Sequence, residues 1–368
     1  MNPALQKTLA FILLILAGYL LQRKLTSKRD LSGVKVLILS IILPATIFVA
    51  LLKIEISGSM LLLPVLALVL NGALYLVSSV ALPRLGFGSD TPGYRTMMML
   101  LPSLAPGLSV FPFIMEYLGE ESLALAALAD VGNKIFVLII LYLVAMNWYY
   151  ARRGATAAAP DRSGKLRDLG MALLQEPVNL VIVAAVIMLS FGYGVESLPA
   201  FLGDTVVRLA ALMTPLVLLF IGMAVRFERG EVAQIMRVLS FRSGLALLLS
   251  AALVLGAGLE GNLALLAVVF AQCAVSFWPF AHMSAVEALR ENDGEQVFDL
   301  DLGLNVLAFS LPFSTVIILG VLSCGNWFAA PGVAAGAGVL LLLLPLAYVL
   351  RPLLGATGEE PEVEKAGA

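Results

Sequence analysis

Four ionisable side chains fall inside stretches that otherwise look like lipid-embedded helix. They are Asp130, Lys134, Asp301 and His282. A charge within a membrane span is costly, so it marks either a self-satisfied pair or a working site. Asp130 and Lys134 are four residues apart, on one helix face, and can pair with each other. Two readings stand for them: a coupling or gating pair beside a binding site, or a structural salt bridge. Asp301 occupies the matching place later in the chain, four residues before Asn305. Asn133 and Asn305 carry amides that suit hydrogen bonds to a ligand or to interrupted backbone. His282 is the only histidine. It could carry a proton near neutral pH or serve as a packing residue.

A second set of residues concerns the backbone. The segment Leu101-Pro102-Ser-Leu-Ala-Pro106-Gly107-Leu-Ser109-Val-Phe-Pro112 holds three prolines and a glycine. Interior prolines cost about 3 kcal/mol or more in a helix. A bilayer span tolerates them only where the freed carbonyls meet protein or line a cavity. Gln272, Ser276 and Pro279 form a similar segment further on. Two broken helices of this kind would present half-helix N-termini, which favour an anion. The competing reading is a pair of proline kinks that only shape packing. The candidate binding residues are therefore Pro106, Gly107, Ser109, Pro112, Gln272, Ser276, Pro279, Asn133 and Asn305.

These residues need a membrane scaffold, and the composition supplies one. Of 368 residues, 60% are hydrophobic and 13% charged, and the mean hydropathy is +0.98. Soluble domains are about 45–50% apolar and about 25% charged. The expected partner is thus a lipid bilayer. A formal net charge of −2, with no basic stripe, excludes a nucleic-acid partner. No metal-ligand cluster or phosphate loop is present, so no cofactor is expected. The two cysteines read as buried small hydrophobes rather than a disulfide. The first apolar run is followed by Gln22-Arg23-Lys24 and reads as a retained span, not a signal peptide.

Apolar stretches predict eleven spans, near 4–21, 32–52, 59–82, 96–118, 121–149, 176–195, 199–225, 240–260, 262–289, 296–322 and 329–353. Arginine and lysine gather in alternate loops: Arg23, Lys24, Lys28 and Arg29, then Arg84 and Arg95, then Arg152, Arg153, Arg162, Lys165 and Arg167. Arg226, Arg229 and Arg237 follow, with Arg242 at the start of the next span, and then Arg290. The other loops hold glutamates, with Lys53 the exception. The positive-inside rule then puts the N-terminus outside and the C-terminus in the cytoplasm. The expected location is a bacterial inner membrane.

Landmarks recur about 170 residues apart. Ser109-Val-Phe-Pro112-Phe113 in span 4 matches Ser276-Phe-Trp-Pro279-Phe280 in span 9. Asp130-Val-Gly132-Asn133 matches Asp301-Leu-Gly303-Leu-Asn305. Pro44 with Phe48 matches Pro215 with Phe220, and Gly18-Tyr19 matches Gly192-Tyr193. Five spans per half is an odd number, so the halves enter from opposite sides. The fold expected is all-α: an inverted repeat of five plus five transmembrane helices, with broken, crossing helices 4 and 9 and an extra C-terminal helix. The divisions are 1–150 for the first repeat, 151–175 for a cytoplasmic linker and 176–323 for the second repeat. An extra span covers 324–354, and a disordered acidic tail covers 355–368.

Three segments carry a family resemblance. Leu43-Pro44-Ala45-Thr-Ile-Phe48 resembles the Leu-Pro-Ala-x-Ile-Phe of the auxin efflux carrier family. Thr214-Pro215-Leu-Val-Leu-Leu-Phe-Ile-Gly222-Met223 is similar to its Pro-Leu-x-Leu-x-x-x-Gly-Met segment, and Gly18-Tyr19-Leu-Leu with a basic turn also fits. The family lies in a superfamily with the bile-acid sodium symporters. The resemblance spans about residues 10–322. It implies a ten-helix fold with spans 4 and 9 crossing, an elevator-like motion and an organic anion as cargo. Its crossover positions fall on Pro106, Gly107, Ser109 and Pro112, opposite Ser276 and Pro279. A homodimer is compatible with this expectation, as is coupling to Na+ or H+. A membrane-embedded ligand sensor is a different class of reading. So is an intramembrane aspartyl protease built on Asp130 and Asp301.

Overall fold

A computed structural model of the chain describes residues 3–22, 24, 28–53, 62–153, 177–224, 232–289 and 295–350, together with 167, 171 and 175. The described residues form helices and no strand. Most of the expected linker and the whole acidic tail lie outside them.

The helices are α1 (Pro3–Leu21), α2 (Lys28–Leu37), α3 (Leu43–Leu51), α4 (Leu62–Ala81), α5 (Pro92–Leu100), α6 (Pro106–Ser109), α7 (Phe111–Ile135) and α8 (Leu141–Arg153). After the linker come α9 (Pro177–Ser190), α10 (Ala200–Ala211), α11 (Met213–Ala224), α12 (Val232–Ala257), α13 (Gly261–Ala271), α14 (Phe277–Ala288), α15 (Leu300–Ser323) and α16 (Pro331–Leu350). Among the described residues, seven helical stretches are long and apolar enough to cross a membrane, and three shorter apolar helices accompany them. The molecule has the build of a polytopic helical membrane protein.

One of the seven, Phe111–Arg152, is 42 residues long. At 1.5 Å per residue it would reach about 63 Å, twice a bilayer core. Gly119, at φ 87°, breaks it into two helices. Each of the eleven expected spans overlaps helix among the described residues, spans 4 and 9 with a non-helical break inside them. The main boundary error is at span 8: α12 begins at Val232, not near 240. Arg242 is consequently a buried mid-helix residue rather than one at the start of the helix. Arg95 is also buried, inside α5. Cys273 is buried as expected, but Cys324 is exposed.

Proline sets two local geometries. A π-helical turn, Ile38–Ile42, precedes Pro44. Proline lacks an N–H and crowds the carbonyl four residues back, and a widened turn relieves both. Pro92, Pro106 and Pro112 each sit in the first two positions of a helix. There the missing N–H would have no partner in any case. The expected interior-proline penalty is therefore avoided by ending the helix.

Packing divides the helices into two groups. α1 lies along α11, and α3 packs on α9 and α10. In the second group α4 packs on α7 and α12, α12 on α13 and α16, α14 on α8, and α15 on α5 and α14. α7 meets α3 and α11 between the groups. The α1–α11 contact depends on glycine. A Cβ on Gly222 would stand 1.9 Å from the Ile15 carbonyl oxygen, and one on Gly18 would stand 2.1 Å from that of Leu219. Helices in lipid gain mainly from such close contact, because lipid tails already satisfy apolar surface. Gly222→Ala should therefore cost about 2 kcal/mol, as overpacking does. A thermal melt in detergent should fall by about 3 °C; an unchanged melt would show that the two helices can separate freely.

Helix α16 docks in the same manner. Gly244 of α12 and Gly338 of α16 would each place a Cβ within 2.8 Å of the other's carbonyl oxygen. The Arg237 guanidinium lies 3.4 Å from the centre of the Tyr348 ring.

Polar contacts collect the helix ends into two sets. Lys7 donates to the Glu116 carbonyl at 2.6 Å, and the Thr8 hydroxyl bonds Tyr117 at 2.6 Å and Ser323 at 2.7 Å. Lys53 pairs with Glu120 at 2.5 Å, which explains a lone lysine among acidic loops. At the other set, Arg152 bridges Asp90 and, at 3.9 Å, Glu295. Arg95 donates to the carbonyls of Gln296 and Val297 at 3.1 and 2.6 Å. Arg152 and then Arg95 hold the Asp90 carboxyl below the usual carboxylate range. The two sets match the alternation of charge along the sequence.

Candidate functional site

Two interrupted helices meet inside the second group. The first interruption, residues 101–105, separates α5 from α6; the second, 272–276, separates α13 from α14. Each strands backbone N–H and carbonyl groups that helices would otherwise pair. Ala105 N donates to the Ala274 carbonyl at 2.9 Å, joining the two breaks directly.

Serines complete the junction. Ser109 Oγ accepts from Ala274 N at 3.1 Å and donates to the Ala105 carbonyl at 2.6 Å, so one hydroxyl ties both strands of the crossing. Ser103 Oγ accepts from Ser276 N at 2.9 Å and donates to the Leu100 carbonyl at 2.6 Å. Ser276 Oγ caps α14 by accepting from Trp278 N. Ser310 Oγ, on α15, accepts from Val275 N at 2.8 Å. Pro106 starts α6, Pro112 lies in the first turn of α7 and Pro279 in the first turn of α14. Gly107 is closed over by Leu43 and Leu39; a Cβ there would be 2.8 Å from Leu43 Cδ2.

Amides and charges flank the junction. Asn133 Nδ2 donates to the Leu104 carbonyl at 3.0 Å and to Asp130 Oδ1 at 2.8 Å. Its Oδ1 accepts from Leu104 N at 3.3 Å and from Asn71 Nδ2 at 2.8 Å. Lys134 Nζ is 3.4 Å from Asp130 Oδ2 and 3.3 Å from Asn179 Oδ1 on α9. The Asp130–Lys134 pair is buried, and it links the first break to a helix of the other group. Arg242 is 3% exposed. Its Nε donates to the Leu101 carbonyl at 2.8 Å and its Nη2 to that of Ser103 at 2.9 Å. Gln272 is turned to Ser243: its Oε1 accepts from the hydroxyl and its Nε2 donates to the carbonyl at 3.3 Å.

Most expected residues are thus brought to the junction: Pro106, Gly107, Ser109, Asn133, Gln272 and Ser276, with Asp130 and Lys134 beside it. Three are placed elsewhere. Asn305 is half-buried on α15, and Ser310 makes that helix's contact with the second break instead. Asp301 is exposed in the first turn of α15, in a setting unlike that of buried Asp130. His282 is buried; its Nε2–H donates to the Val137 carbonyl at 3.0 Å and its ring packs edge-on to Tyr142. Val137 lies in the π-helical turn Phe136–Ile140, where the backbone ladder is shifted and a carbonyl can turn to a side chain.

Sequence reasoning missed Ser103, Ser310, Asn71 and Arg242. For Arg242 a signal existed, since extending the apolar run of span 8 back to Val232 puts this arginine in mid-helix. Among the described residues no group of three or more His, Cys, Asp or Glu could hold a metal ion. Asn71 Oδ1 is buried and meets no donor among the described residues. A separate crevice of about 500 Å³, counting its open mouth and lined by apolar residues, lies between α4, α7, α12 and α13.

No family model matches the chain, and none of the curated proteins matches it significantly.

Proposed function

We propose that the chain is a secondary transporter that moves a small organic anion by alternating access about the two helix breaks. One observation carries this reading: interrupted backbone from two helices is joined, Ala105 to Ala274, within an otherwise apolar bundle. Irregular backbone at membrane depth is tolerated where it is buried in protein or lines a cavity, and transporters place their sites there. The matching landmarks of 1–150 and 176–323 support two inverted five-helix halves. The two packing groups support motion of one bundle against the other, with α16 riding on α12. The resemblance to auxin efflux carriers points to the same class. The arginine-rich loop set is read as cytoplasmic and the membrane as a bacterial inner membrane.

Coupling to Na+ or H+ is a second reading. It is favoured by the unmet Asn71 Oδ1 beside Asn133 and Asp130, an oxygen-rich setting that suits a small hard cation.

The test is counterflow of radiolabelled carboxylates into proteoliposomes of the full chain, with and without a sodium or proton gradient. Carboxylate-dependent uptake is expected. Ser109→Ala removes two hydrogen bonds at the junction and should cut uptake about 30-fold, at roughly 1 kcal/mol net per bond. If no organic anion is carried under any gradient, the transport reading ends.

A further inference from the structure

The outer surface of the bundle carries a basic cluster that has no part in the junction. Leu340, Leu344 and Tyr348 recur every fourth residue along α16, and all three are exposed. That spacing sets them in one row on the helix. Leu76 and Val80 form a similar exposed row on α4. The row continues to Arg84, whose Nη1 donates to the Val80 carbonyl at 2.5 Å. Two apolar ridges thus run along the surface, one tipped by an arginine and the other by a phenol.

Both tips meet at Arg237. This residue lies near the start of α12, the helix that packs against both α4 and α16. Its guanidinium is 3.4 Å from the centre of the Tyr348 ring. Its Nη1 reaches the Leu85 carbonyl at 3.5 Å, one residue beyond Arg84. The Tyr348 hydroxyl closes the same corner, since a Cβ on Gly86 would be 3.0 Å from it. Arg95 and Arg152, at the same end of the bundle, share the carboxylate of Asp90. Arg84 and Arg237 have no such partner: among the described residues neither forms an ion pair. A guanidinium has five N–H donors. Arg84 spends one on Val80 and Arg237 one on Leu85. The remaining donors are open to an anion.

The surroundings choose that anion. The two arginines end apolar runs on the arginine-rich side, at the level of lipid headgroups. A soluble anion would use the cations and neither ridge, whereas an anionic amphiphile uses both. Guanidinium forks match phosphate oxygens bidentately. Basic pockets between helix ends hold anionic headgroups in this way. We propose that Arg84, Arg237 and Tyr348 bind the phosphate of an anionic phospholipid, whose acyl chains lie along the Leu76–Val80 and Leu340–Leu344 ridges. The bound lipid ties the end of α16 to the turn after α4, across α12. The site does not rest on the transport reading.

The experiment is titration of lipid into the purified full chain in detergent, with bound lipid counted by native mass spectrometry. The probes are dioleoylphosphatidylglycerol, dioleoylphosphatidylcholine with the same tails, and glycerol phosphate, which has no tails. Phosphatidylglycerol should bind the wild type at least tenfold tighter than phosphatidylcholine. Arg84→Gln with Arg237→Gln should weaken phosphatidylglycerol about 30-fold, the strength of two cations at a membrane surface. Arg237→Lys should weaken it about threefold, because the charge stays and the fork goes. Lys24 is an exposed cation after α1, in the other packing group. Lys24→Gln should leave binding within about twofold of wild type. Equal affinity for the two lipids or unchanged binding in the double variant would overturn the site. So would an equal loss in Lys24→Gln, which would reduce it to general surface charge. Displacement of the lipid by an equal concentration of glycerol phosphate would also overturn it, by assigning the arginines to a soluble phosphate. If the double variant does not fold, Arg237→Lys and the preference of the wild type between the two lipids decide the matter.

Discussion

Replacing Asp130 with alanine should destabilise the protein by about 3–5 kcal/mol, because it breaks a buried ion pair by removing one partner. The pair is 3.4 Å apart, with side-chain exposures of 6% and 8%. Asp130 also holds Asn133, whose amide satisfies both backbone groups of Leu104 at the first break. Two costs therefore arise together: a lost buried ion pair and a loosened break. Removing both charges should be much milder than removing one, since the buried cation goes together with the carboxylate that faced it. Asp130→Ala with Lys134→Met is expected to recover at least half of the lost stability, an interaction of about 2 kcal/mol in the double-mutant cycle. Thermal melts of the four proteins in detergent measure it. Flux separates the two sequence readings of the pair. If the pair couples transport, the double variant regains stability but not uptake. Recovery of both would make the pair structural, and additive melts would show that the two side chains do not depend on each other.

Arg242→Met should cost about 3 kcal/mol and lower the melt by about 4 °C. Two of the guanidinium's N–H groups reach the Leu101 and Ser103 carbonyls, which the first break has stripped of helical partners. Methionine fills a similar volume but donates nothing, so two buried acceptors go unmet at about 1–3 kcal/mol each. The buried charge is removed as well, which moderates the loss. Lysine offers a point charge in place of a planar fork and cannot serve both carbonyls in the same geometry. Arg242→Lys should therefore fall between wild type and Arg242→Met. A melt within about 1 °C of wild type for Arg242→Met would show that the break holds itself without this arginine.

Both predictions concern groups that stabilise broken backbone, and the junction was only partly legible in the sequence. Proline and glycine speak through local rules. Pro102, Pro106 and Pro112 cannot all sit in one continuous helix, so a break near 101–112 followed from sequence alone. The partner of that break was legible only through a repeated motif. Ser109 and Ser276 were found by that match, yet their roles differ: Ser109 ties the two breaks, whereas Ser276 caps its own helix. The same matching failed for Asn305. A repeat predicts equivalent positions, but a contact depends on which rotation each helix adopts, and Ser310 is the residue that α15 turns to Val275.

The motif glycines show the same division. Gly18 and Gly222 stood out within apolar signatures, with nothing local to explain them. Their reason is that α1 and α11 approach to backbone contact, a relation between residues two hundred positions apart. Lys53 broke the charge alternation until Glu120 was found beside it.

The sequence by itself determined the solvent, the span pattern and the places where helices cannot continue. Those follow from hydropathy over about twenty residues and from the covalent limits of proline, both local properties. Tertiary structure alone decided which stranded carbonyls meet Arg242, which serine closes which break, and that Arg237 reaches the turn holding Arg84. Each of those depends on helix rotation and depth, set by packing among segments far apart in the chain, and no short window of residues encodes them.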